Sequence, residues 1–203
     1  MIKKLLASLG LSLLLASGAH AIPVTVSMTA DNIINDGGLC YDSSCTFGTG
    51  WGAYGSLTNA NNWPTADSLV LDLGVGTHYF AWNVVNLGSG SGGNPAALLA
   101  EIMWGDQVHS SSSAWEIYDF TTGAFVSNAT EYGTNGTNIW GGPIAGISTH
   151  ASWIYTDNNF VDADQSAWIR TSITIADVPE PAPLALLCLG LLFLAAARRR
   201  IQH

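Results

Sequence analysis

Hydrophobic and polar residues alternate with a period of two through much of this chain, the period at which side chains leave a β-strand on opposite faces. Val24, Val26 and Met28 alternate with Thr25, Ser27 and Thr29, and Leu69, Leu71 and Leu73 share one face of residues 68–73. Residues 77–86 place His78, Phe80, Trp82 and Val84 on one side and Tyr79, Ala81 and Val85 on the other, which predicts a central strand covered on both faces. Residues 97–104, 114–120, 150–156 and 166–175 supply four more strands, although the composition of 95–104 also suits a helix. In the last of them Ala167, Ile169, Thr171, Ile173 and Ile175 oppose Ser166, Trp168, Arg170, Ser172 and Thr174. Seven strands between Gly-, Asn- and Ser-rich loops, with no convincing amphipathic helix, predict an all-β domain over residues 22–177, an antiparallel, jelly-roll-like β-sandwich.

Both ends break this pattern. Residues 1–21 read MIKKLLASLGLSLLLASGAHA: two lysines, an apolar run without a polar face, then Ala19 and Ala21 around His20. That is the pattern of a secretory signal peptide, with the mature chain starting at Ile22. Residues 178–203 form a second separate segment, in which Val178, Pro179, Glu180, Pro181, Ala182 and Pro183 precede an uncharged run at 184–197 and then Arg198, Arg199 and Arg200. As a helix that run is about 21 Å long, short of the roughly 30 Å hydrocarbon core. It can span if the bilayer thins or if Ala182 and Pro183 join it. Three arginines directly after a transmembrane helix favour cytoplasmic retention, which leaves the body on the other side. The prolines hold 178–183 extended, a conformation that a processing enzyme can accept.

Charge narrows the partners. Between residues 22 and 177 one arginine stands against fourteen carboxylates, a formal charge of −13. A nucleic-acid partner is excluded, because displacing counterions from phosphates needs Lys and Arg. An anionic membrane surface repels such a body as well. With only 10% charged residues, 22 glycines and 8 tryptophans, the composition is that of an aromatic, loop-rich globule rather than an acidic disordered tail.

The sequence VPEPAPLALLCLGLLFLAAARRR resembles the PEP-CTERM sorting signal of Gram-negative bacteria, with a Pro-Glu-Pro triplet, a short apolar span and an arginine cluster in that order. The resemblance implies processing near the triplet by an exosortase-like membrane enzyme, in producers that secrete exopolysaccharide and form biofilm or floc. The body itself, through 29–32 (TADN), 71–86, 96–104, 112–118, 151–159 and 166–175, resembles a galactose-binding-like jelly roll, a module common in bacterial secreted proteins. It departs from that family at residues 33–38, an abbreviated form of the usual aromatic strand and Asn-Gly turn, and in a Cys-containing insertion that follows.

Candidate chemistry is sparse. Cys40 and Cys45 are the only cysteines of the body, and an exported chain passes an oxidising compartment, so a short loop-stapling disulfide is expected. Cys188 lies within the apolar span as a small filler. His78 falls on an apolar strand face as a satisfied imidazole, His109 leads into the serine run 110–113 of a mobile loop, and His150 has no ligand spacing to either. No GxSxG elbow is present, which disfavours a serine hydrolase. Glu101, Glu116 and Asp119 could supply a glycosidase pair, which needs carboxyl groups roughly 5–10 Å apart, but solvated carboxylates at strand edges explain them as well. Asp157, Asp162 and Asp164 make an oxygen-rich loop in which a structural calcium is the candidate cofactor. Trp51, Tyr54, Trp63 and Trp140 fall in Gly- and Asn-rich loops, where exposed rings beside amides and carboxylates suit the stacking of a sugar.

These readings add to an expectation. The chain is an exported, non-catalytic β-sandwich, held briefly in the membrane through its C-terminal helix, processed by an exosortase-like enzyme and delivered to the cell surface or extracellular matrix, where it binds carbohydrate such as an exopolysaccharide. Two alternatives stand beside it: a small secreted glycosidase or polysaccharide lyase, and a self-associating structural matrix protein.

Overall fold

The alternation at the start of the body produces β1 (Ile22–Asp31), which sends Val24, Val26 and Met28 to one face where each is fully buried. The structure, a computed structural model, describes residues 21–40, 51–53, 57–88, 94–119, 122–137, 140–157, 166–176 and 191. After β1 come β2 (Ile33–Cys40), β3 (Trp51–Ala53), β4 (Asp67–Leu73), β5 (Gly76–Val85), β6 (Ala97–Trp104) and β7 (Gln107–Ser110). They are followed by β8 (Glu116–Asp119), β9 (Ala124–Ser127), β10 (Thr130–Thr134), β11 (Ser152–Tyr155) and β12 (Ser166–Ile175). All the strands read from alternation are present, and residues 97–104 are strand rather than helix. Residues 21–175 form one compact unit. Of residues 1–20 and 176–203 only Ala176 and Leu191 are described, so the expected signal peptide and membrane span lie, apart from Ala21 and Leu191, outside the described residues.

The strands assemble into two antiparallel sheets. Sheet A runs β10, β11, β6, β1, β4, with β7 also paired to β6, and sheet B runs β3, β2, β5, β12, β8, β9. Their inner faces share one core, to which sheet A contributes Val26, Met28, Leu98 and Ile102 and sheet B contributes Phe80, Trp82, Ile169 and Ile175. Trp82 stacks on Trp115 at 5.2 Å and donates its Nε1 hydrogen to Met28 Sδ at 3.1 Å, which ties the sheets together. Each buried tryptophan removes about 150–250 Å² from water, a gross gain on the order of 4–6 kcal/mol before ordering costs.

Two local expectations are corrected. Residues 33–38 are not an abbreviated strand and turn but most of a full strand, β2, paired with β5 across a bulge between Ile34 and Asp36. IINDGGLC has no alternation of its own, so pairing with a central strand makes it a strand. His109 is not in a mobile loop. It sits in β7, stacks on Trp115 at 5.6 Å, and its Nε2 lies 2.8 Å from Thr171 Oγ1 across the core. Burial lowers its pKa, so the imidazole is held neutral.

Candidate functional site

Alternation on β5 and β12 decides what reaches the outer face of sheet B. Since Phe80, Trp82, Ile169 and Thr171 point inward, Tyr79, Ala81, Asn83, Trp168 and Arg170 point outward. Antiparallel register arranges them in cross-strand rows. Gly38 of β2 faces Ala81, Ala81 faces Arg170, and Arg170 faces Glu116 of β8. On one side of that row Asp36, Asn83 and Trp168 face one another in turn, and on the other side Cys40, Tyr79 and Ser172 do so. Tyr118 and Phe125 extend the surface across β8 and β9, meeting edge to face at 5.2 Å.

Arg170, the one basic residue of the body, organises this surface. Its Nε donates to Glu116 Oε2 at 2.7 Å, and a terminal nitrogen reaches the same oxygen, so Glu116 Oε1 carries neither bond. The guanidinium lies over the Phe125 ring at 4.2 Å and over Tyr79 at 5.9 Å. A planar cation between rings is stabilised by their negative faces. Tyr79, Phe125 and Trp168 are half-buried and pack around Cys40 and Ala81. Asn35 Nδ2 donates to Asn83 Oδ1 at 3.2 Å and Asn83 Nδ2 donates to Ser166 Oγ at 3.0 Å, which adds a polar border. The result is aromatic rings, a fixed ion pair and amides on one strand-built surface.

Of the loop aromatics expected to form a sugar platform, Trp63 and Trp140 lie elsewhere. Trp140 is only 3% exposed: it stacks on Trp153 at 4.6 Å and donates to Asp31 Oδ2 at 3.0 Å. Trp63 packs edge to face on Trp153 at 6.3 Å, and its carbonyl accepts a bond from Thr29 Oγ1. Both rings therefore lie over the outer face of sheet A as a roof, Trp140 buried and Trp63 half-buried. Asn135, itself buried, pins that roof by donating to the carbonyls of Ile144 and Ile147 and accepting from Ile144 N. Beneath it lies Asp31, whose pKa is raised by burial despite bonds from Trp140 and Asn32. Trp51 opposes Cys40 in the β2–β3 register, which puts its backbone at the end of the row through Tyr79. Tyr54 lies outside the described residues.

The other candidates are placed as follows. Glu101 is not a solvated carboxylate, being buried and bonded by Ser110 Oγ at 2.9 Å and Ser148 N at 3.3 Å. Glu116 is ion-paired, as described, and Asp119 closes β8. His78 is satisfied by the Gly74 carbonyl at 2.7 Å, as expected, and His150 is exposed. Asp157 is exposed after β11, while Asp162 and Asp164 lie outside the described residues, as do Cys45, Pro179, Glu180, Pro181, Arg198, Arg199 and Arg200. Among the described residues no three His, Cys, Asp or Glu side chains converge as metal ligands. The Tyr79, Trp168 and Arg170 surface was missed as a site, although the outward set on β12 already carried both Trp168 and Arg170.

The described body is thus an all-β domain of two antiparallel sheets with an aromatic, ion-paired outer face. Its chain ends in the PEP-CTERM protein-sorting motif, matched at residues 177–200. That motif marks an exported, membrane-anchored precursor addressed to exosortase and destined for the cell surface. Among the described residues no helix is long and apolar enough to cross a membrane. No curated protein and no solved structure matches the chain.

Proposed function

We propose that the body is a non-catalytic, carbohydrate-binding module of the cell surface or matrix, and that its glycan lies across the outer face of sheet B. The observation that carries this reading is the cluster of Tyr79, Phe125 and Trp168 around the Arg170–Glu116 pair. Pyranose C–H faces stack on such rings, and sugar hydroxyls find an acceptor in Glu116 Oε1 and a donor in Ser166 Oγ. A neutral glycan is favoured over a polyuronate, because the single cation is already neutralised by Glu116 and the body carries −13. An exopolysaccharide of the producing cell is the natural candidate.

A non-catalytic role is supported by how the strand carboxylates are used. Glu101 and Glu131 hold serines, and Glu116 holds Arg170. The Cys40–Cys45 disulfide belongs to the same reading, supported by the disulfide-bonded state of Cys40 at the end of β2. It would fix the loop that leaves this face.

The test is retention of the exported, full chain on immobilised neutral glycans and on a uronic acid polymer. Saturable binding to a neutral glycan is expected, with Trp168→Ala and Tyr79→Ala each weakening it about tenfold, the loss of roughly 1.4 kcal/mol of stacking. Unchanged binding in both variants would place the glycan elsewhere, and a cleaved glycan would replace the lectin-like reading with the enzymatic one.

A further inference from the structure

Strands at the edge of a sheet present unpaired N–H and C=O groups, and natural proteins blunt them with short strands, bulges, prolines or lysines. Among the described residues most outer strands here are blunted in that way. β3 has three residues and β7 and β9 have four each, while the register of β10 shifts between Glu131 and Thr134. β4 is different. It is seven residues long, pairs with β1 in unbroken register from Asp67 to Leu73, and has β1 as its one neighbour in the described sheet. Its sequence, DSLVLDL, contains no Lys, Pro or Gly. Val70 at its centre is 67% exposed, and Leu69 and Leu71 on either side are half-buried.

We propose that β4 pairs with β4 of a second copy of this chain, antiparallel about a two-fold axis at Val70, so that two A sheets become one. The strand is self-complementary in that register. Val70 faces the partner's Val70 and Leu69 faces the partner's Leu71, which covers the exposed apolar centre of both edges. Ser68 faces the partner's Asp72, and Asp67 faces the partner's Leu73, so no carboxylate opposes a carboxylate. Ser68 Oγ already accepts from Ser27 Oγ at 3.3 Å, which leaves its own hydrogen to donate to that aspartate. Moving the axis by one residue sets the exposed Val70 against Asp72 in one direction and against Ser68 in the other, so of these registers the proposed one alone pairs Val70 with an apolar group. The uncharged stretch 68–71 is also where two bodies of charge −13 can approach, and association should strengthen with salt as their repulsion is screened. The edge belongs to sheet A, so this contact and the glycan face on sheet B succeed or fail separately.

Val70→Cys in the full exported chain, treated with a short bis-maleimide, should give a cross-linked dimer well above the background set by the wild-type chain. Ser68→Cys should give several-fold less, because the two copies of that residue lie about 13 Å apart along the paired strands. Val70→Lys and Val70→Glu should each weaken association at least tenfold, and mixing the two should restore it as a heterodimer. Absence of a Val70→Cys dimer in protein with native tryptophan emission overturns the proposal, as does a Val70→Lys chain that dimerises like wild type.

Discussion

The two sheets turn similar residues outward and treat them differently. On sheet A the outward Asp31, Glu101 and Trp153 are all buried, because Trp63 and Trp140, with the segment that Asn135 pins, lie over them. On sheet B the outward Tyr79, Trp168 and Phe125 remain half-buried around Arg170 and Glu116. The contrast shows what a tryptophan's neighbours in sequence do and do not reveal. Gly- and Asn-rich flanks indicate a loop, but a loop that crosses a sheet uses its ring as a roof. A tryptophan opposite a row of inward isoleucines is on an outer face by geometry, and Trp168 stays half-buried there.

The strongest way to break this comparison is to truncate one ring on each face. Trp140→Ala removes a ring stacked on Trp153 and deprives Asp31 of a donor, so it should cost about 3–5 kcal/mol of unfolding free energy. Trp168→Ala removes a half-buried ring and should cost less than half of that, its larger effect falling on the glycan binding proposed for this face. Urea denaturation of both variants measures the difference, and equal losses would mean that the two faces are not distinct in kind. Arg170→Lys sharpens the picture at a smaller scale. It keeps the charge but loses the Nε bond to Glu116 and the planar contact over Phe125, and about 1 kcal/mol should go with them. A lysine variant as stable as wild type would reduce Arg170 to a simple counter-charge.

Much of the frame was legible in the alternation. β1, β4, β5 and β12 follow from which residues are apolar at every second position, and so does the outward placement of Trp168 and Arg170. β2 was not, because Asn35, Asp36, Gly37 and Gly38 have no strand preference and are held by pairing with β5, joined at Gly38 by β3. The roof was hidden for a different reason. Nothing near Trp140 in sequence indicates Asp31, which is 109 residues away and meets it only once sheet A has formed. The sorting segment was the opposite case, a local pattern that needs no tertiary context, and its triplet and arginines are the residues that the family match covers.

The smallest expected effect reports on the roof without dismantling it. Burial raises the Asp31 pKa above its ordinary value of 3.8, and the bonds from Trp140 and Asn32 offset only part of that. A carboxylate with a raised folded pKa costs stability while it is ionised, and the cost shrinks as pH falls through the folded value towards 3.8. His109 runs the other way: burial lowers its pKa, so its contribution is complete above 6.5 and is lost as pH falls below that. Glu131, lowered chiefly by the bond from Ser113 N, likewise loses its contribution in acid. A raw melting curve against pH therefore mixes opposing signs. Asp31→Asn keeps an amide oxygen for Trp140 and leaves His109 and Glu131 in place, so the difference in melting temperature between wild type and variant isolates Asp31. Wild type should gain on the variant as pH falls from 8 towards 4. A difference that stays flat across that range would mean that the roof leaves Asp31 as well solvated as a surface carboxylate, and that the outer faces of the two sheets are less unlike than their geometry indicates.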